Sequence, residues 1–94
     1  MQKIFEEVKY VRCNTASDFG YEEHKREVIA YYHEPLQVLV VDKNSYNCKG
    51  DYVNFDYRYS DRQVETVEGL SAAVRRVIGL ADEYYSPNLK PFKL

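Results

Sequence analysis

Between Val67 and Tyr84, the apolar residues Val67, Leu70, Val74, Val77, Ala81 and Tyr84 recur at alternating steps of three and four. That spacing aligns them on one side of an α-helix and leaves Glu68, Arg75, Arg76 and Asp82 toward water. The repeat predicts a helix over 66–85, about 30 Å long at ~1.5 Å rise per residue. Thr66 is the expected N-cap, Glu68 suits the first turn, and the SPN tripeptide at 86–88 supplies the stop. Gly69 and Gly79 each weaken such a helix by up to ~1 kcal/mol relative to alanine.

An apolar stripe on one helix face needs a partner surface, and the preceding residues offer a sheet. LQVLVVD (36–42) is apolar at nearly every position, as a strand covered on both faces would be. EVIAYYH (27–33) reads as a second strand, joined to it through Glu34 and Pro35, because proline presets a turn. KNSYNCKGD (43–51) has the composition of a loop, and DYVNFDYRYSDR (51–62) then alternates with period two as a third strand. The alternation assigns Val53, Phe55, Tyr57 and Tyr59 to the face that packs against the helix, and Tyr52, Asn54, Asp56 and Arg58 to the outer face. In the first third, Ile4, Val8 and Val11 fit a helix while VKYVRC has the β-branched and aromatic content of another strand, and of the two the strand is preferred. The fold expected is α+β: a small antiparallel sheet of three to four strands packed against one long C-terminal helix, in a single domain with a short extended tail over 86–94.

Composition narrows function by exclusion. In 94 residues, 13 basic and 15 acidic side chains give a net charge of −2, without the basic excess by which nucleic-acid binders release counterions. KGDYVNFDY (49–57) has the outline of an RNA-recognition strand, but places Asp51, Val53 and Asp56 where stacking aromatics are required. No apolar run approaches a membrane span, and MQKIFEEVKY has acids where a signal peptide carries its apolar segment, so a cytoplasmic protein is expected.

Little in the sequence points to catalysis. Cys13, His24, His33 and Cys48 are the soft ligands, spaced without the close pairs that aim two side chains at one ion, so no metal is expected. No cofactor is expected either, because Gly20, Gly50, Gly69 and Gly79 form no phosphate-cradling loop. Glu22, Glu23, Lys25, Arg26 and Glu27 read as a solvated, self-paired face. No local motif would place a base beside a nucleophile, so the chain reads as a non-enzyme.

An interaction protein remains. Ten tyrosines exceed what one small core needs, and Tyr10, Tyr21, Tyr46, Tyr52 and one of Tyr84 and Tyr85 are expected at the surface. The expected contact surface is the outer hairpin face: Tyr46, Asp51, Tyr52, Asn54, Asp56, Arg58 and Asp61. It would serve an inhibitor, adaptor or regulator of a protein partner. One version is a mobile-element or phage inhibitor of host defence, whose Asp51, Asp56 and Asp61 block a basic nucleic-acid-binding groove. The alternative is nucleic-acid binding by surface tyrosines that stack bases, with a small enzyme a more distant third. The chain is expected as a monomer or as a homodimer formed along the helix repeat.

Overall fold

The structure is a computed structural model that describes residues 1–13, 22–48 and 55–85. Four strands, β1 (Gln2–Cys13), β2 (Glu22–His33), β3 (Val38–Cys48) and β4 (Phe55–Thr66), precede one helix, α1 (Leu70–Tyr85). The strands form an antiparallel sheet in sequence order, β1-β2-β3-β4. This is the expected α+β architecture, including the strand reading of the first third. The helix, at 16 residues, is shorter than the sequence suggests.

The β2–β3 turn forms at Glu34–Gln37, where the Gln37 amide donates to the Glu34 carbonyl at 3.1 Å. Pro35 sits where its fixed φ suits the turn, and Gln37 closes it in the left-handed region at φ 52°. The Gln37 carbonyl then accepts from the Val67 amide at 2.9 Å, and the Tyr32 hydroxyl donates to the Val67 carbonyl at 3.3 Å. These two bonds hold the link between β4 and α1 against the β2–β3 end of the sheet. Thr66 is therefore still strand, opposite Val38, and not the N-cap. Gly69, at φ 88°, is the last residue before the helix, and its carbonyl accepts the bond from Ala73.

The core lies between α1 and one sheet face. Val28, Ala30 and Tyr32 of β2 and Leu39 and Val41 of β3 meet Ala73, Val77, Leu80, Ala81 and Tyr85. Ile4 and Phe5 of β1, Val67 and Tyr84 pack around this cluster. The helix seam is rotated from the one read in the sequence: Leu70 is exposed and Val74 half-buried, while Ala73, Leu80 and Tyr85 are buried. With 66–69 outside the helix, and apolar residues on most of its circumference, packing rather than spacing selects the stripe.

Two further readings are corrected. Residues 43–48 belong to β3 rather than to a loop, with 43–47 paired to β2 on one side and 43–48 to β4 on the other. Tyr57 and Tyr59 are exposed rather than core. For Tyr57 the reason is a bulge between Ser45 and Tyr46: Ser45 faces Tyr59 and Tyr46 faces Tyr57, so Arg58 is an extra residue and the alternation changes phase there. Tyr59 keeps the expected side but stands exposed in the groove at the end of α1. Phe55 and Tyr57 consequently share the sheet face opposite α1 with Tyr46, and Tyr59 and Asp61 lie on the helix side. Val53 and the tail at 86–94 lie outside the described residues.

Candidate functional site

The 12-residue strands are roughly 40 Å long at ~3.3 Å per residue, whereas the 16-residue helix covers about 24 Å. The helix starts beside the β2–β3 turn and ends at Tyr85, whose hydroxyl donates to the Glu7 carbonyl at 2.7 Å, midway along β1. The opposite end of the sheet, which carries the β3–β4 hairpin, therefore projects past the helix with both faces uncovered among the described residues. Polar residues such as Asn44, Ser45 and Asn47 are tolerated in β3 for that reason.

On the face away from α1, this end carries an aromatic group around Lys25. Lys25 Nζ lies 4.6 Å from the Tyr46 ring centroid and 5.9 Å from that of Phe55. Tyr46 meets Tyr57 edge-on at 5.2 Å, and Tyr10 meets Phe55 at 5.8 Å. Since β1 and β4 are three strand spacings apart, roughly 14 Å, Tyr10 and Phe55 lean inward across the strands between them. Burial, then Glu27 and then Tyr57 push the Tyr46 hydroxyl pKa above the ordinary phenol value. Below the aromatics, Asn44 donates to Glu27 at 3.0 Å and Arg62 grips Asp42 through two hydrogen bonds of 2.6 and 2.9 Å. Further along, this face carries Ile29, Tyr31, Val40 and Val64.

On the helix side, a groove of about 450 Å³ opens at the end of α1, lined by Arg26, Lys43, Ser45, Tyr59, Asp61, Glu83 and Tyr84. Arg26 is fixed by the helix end: its Nη1 donates to the Tyr84 carbonyl, and its guanidinium lies 4.7 Å from the Tyr84 ring centroid. Lys43 Nζ is 5.8 Å from the same ring. Arg26 Nε and Tyr84 Oη are buried and make no hydrogen bond of ordinary geometry. Burial raises the Tyr84 pKa, and Arg26 and the nearby Ser45 hydroxyl offset part of that rise. Arg26 thus belongs to the helix cap and not to the solvated, self-paired face read from the sequence.

The expected contact residues divide between the two faces. Tyr46 belongs to the aromatic group, Asp61 lies opposite Lys43 on the helix side, Arg58 is exposed at the bulge, and Asp56 is half-buried opposite Asn47. Asp51, Tyr52 and Asn54 lie outside the described residues. Tyr10, Lys25, Phe55 and Tyr57 join Tyr46 without having been singled out together. Their only signal in the sequence is the tyrosine excess, because strand order and the bulge bring them into one group. Tyr10 is exposed as expected, Tyr46 and Tyr84 are half-buried, Tyr85 is buried, and Tyr21 and Tyr52 lie outside the described residues.

Among the described residues, no three His, Cys, Asp or Glu side chains gather where they could hold a metal ion, and no helix is long and apolar enough to cross a membrane. The side chains of Cys13 and Cys48 lie outside the described set. No family model, curated protein or solved structure matches the chain.

Proposed function

We propose that the chain is a small non-enzymatic protein-interaction module of the cytoplasm, acting as an inhibitor, adaptor or regulator through the sheet face opposite α1. The observation that carries this reading is that large apolar side chains stand on both sheet faces while, among the described residues, α1 covers only one. An antiparallel sheet facing water on one side normally presents polar residues there. Here Val8, Tyr10, Tyr57 and Val64 are 41%, 61%, 56% and 62% exposed on the uncovered side. Exposed apolar patches of a few hundred Å² mark interaction surfaces, and tyrosine offers large contact area with few rotors and a polar tip. The version led by Asp51, Asp56 and Asp61 has less support, because Asp61 lies on the opposite side of the sheet from Tyr46.

A second reading, nucleic-acid binding by stacked tyrosines, is favoured by Lys25 beneath the aromatic group. The net charge of −2 opposes it.

The test is a tagged pull-down from native cell extract, with and without nuclease, using wild type and Tyr57→Ala. A protein retained after nuclease by wild type and lost with Tyr57→Ala supports the module. Recovery that disappears with nuclease replaces it with the stacking reading.

A further inference from the structure

We propose that a second copy of this chain covers the sheet face opposite α1, the two sheets packing face to face with their helices outward. The inference rests on reading that face as protein-binding, and it names the occupant.

Charge is the first argument. Apart from Arg58 at the bulge, the described charged side chains of this face are Lys3, Lys25 and Arg62 against Glu6, Glu27 and Asp42. Most are already paired within the face: Lys3 with Glu6 at 2.7 Å, Arg62 with Asp42 at 2.6 Å, and Glu27 with Asn44 at 3.0 Å. A balanced face offers no net attraction to a phosphate backbone and no steering toward a strongly charged protein. It presents no net repulsion to its own copy, and a twofold contact requires a patch that is complementary to itself.

Size is the second. Strands of 11 and 12 residues in a four-stranded sheet present a face of roughly 36 by 19 Å, on the order of 700 Å² per copy. Specific interfaces bury about 600–1,000 Å² per partner, a range that contains this face. Packed sheets lie ~10 Å apart with strands within ~30° of one another, which brings side chains from both copies into one layer. The rival self-association surface is the helix flank, which exposes two large apolar side chains, Leu70 and Ile78, each 45% exposed, against Val8, Tyr10, Tyr57 and Val64 on the sheet.

Sedimentation equilibrium of wild type, Val64→Lys, Val8→Lys and Ile78→Lys tests the proposal, with circular dichroism checking that each variant is folded. Wild type is expected to be a dimer, and Val64→Lys and Val8→Lys should each raise its dissociation constant at least tenfold, with Ile78→Lys unchanged. Val8 lies on β1 and Val64 on β4, so either variant suffices if the other fails to fold. A dimer lost only with Ile78→Lys, or kept by both sheet variants, overturns the proposal. A monomeric wild type that still captures another protein in a Tyr57-dependent way overturns the second copy alone. A monomer without such capture overturns the interaction reading as well.

Discussion

The guanidinium of Arg26 both donates to the Tyr84 carbonyl and lies 4.7 Å from the centre of the Tyr84 ring. The last turn of α1 contains no basic residue of its own, so β2 supplies the positive charge that a helix C-terminus favours. Arg26→Ala removes a charge-assisted bond and a stacking partner from a half-buried site, and should cost about 1–2 kcal/mol in urea unfolding. Arg26→Lys should recover only part of this, since an ammonium lacks the planar surface that stacks. An unchanged midpoint for Arg26→Ala would show that the cap contributes nothing to stability.

Three backbone positions give a matched set of stability changes. Gln37 is held in the left-handed region at φ 52°, so Gln37→Gly, which keeps both of its backbone hydrogen bonds, should stabilise by ~0.5–1 kcal/mol. Gly69 has φ 88°, and Gly69→Ala should destabilise by ~1 kcal/mol although no atom would crowd the new methyl group. Gly79 lies inside α1 with open space around it, and Gly79→Ala should stabilise by ~0.5–1 kcal/mol. Thermal or urea unfolding of the three variants measures all of this, and a loss of stability in Gly79→Ala would contradict its assigned place in the helix.

The layer order was legible in the sequence because it depends on pattern: VLVV is apolar at every position, and the three-four repeat marks a helix whatever its exact ends. What stayed illegible depends on pairing. The Ser45–Tyr46 bulge shifts Phe55 and Tyr57 to the opposite face from the expected one, and no residue type announces it. β3 continues through polar residues because its far end lies beyond the helix, a consequence of relative lengths and not of local propensity. The aromatic group needs both pieces of information, since the bulge puts Phe55 on the face that carries Tyr10 and the strand order sets which residues lie between them.

Arg76 of α1 binds Glu65 of β4 through two hydrogen bonds of 2.8 Å, linking the helix to the edge strand. The bond to Arg76 holds the Glu65 pKa below its ordinary value, with burial opposing and the charges of Arg76 and Lys43 assisting. A carboxylate with a depressed folded pKa contributes stability above its unfolded pKa and loses it as pH falls through the folded value. The pair is solvent-exposed, so the contribution is small and sensitive to salt. Glu65→Gln should lower the melting temperature slightly at neutral pH and low salt, and the difference from wild type should vanish in acid. A difference that persists at low pH would assign the effect to packing instead.

Alkaline titration reads both sheet faces through their tyrosines. Burial is the largest cause raising the pKa values of Tyr46, Tyr84 and Tyr85, with Glu27 adding to the first and Glu7 to the last. A phenol whose folded pKa exceeds its unfolded value of about 10 stabilises the fold fully below that pH. The contribution disappears as pH rises through the folded value, so stability should decline above pH ~10. Part of the tyrosinate absorbance of the ten tyrosines should therefore appear late, together with loss of the β-sheet dichroism. Tyr46→Phe should reduce the late phase without moving the neutral-pH melting temperature far, because its ring contact with Tyr57 survives. Tyr85→Phe should reduce it as well and also lower that temperature, because the bond to the Glu7 carbonyl is lost. Complete ionisation of all ten tyrosines in one early step, with the dichroism intact, would show that neither face shields its hydroxyls.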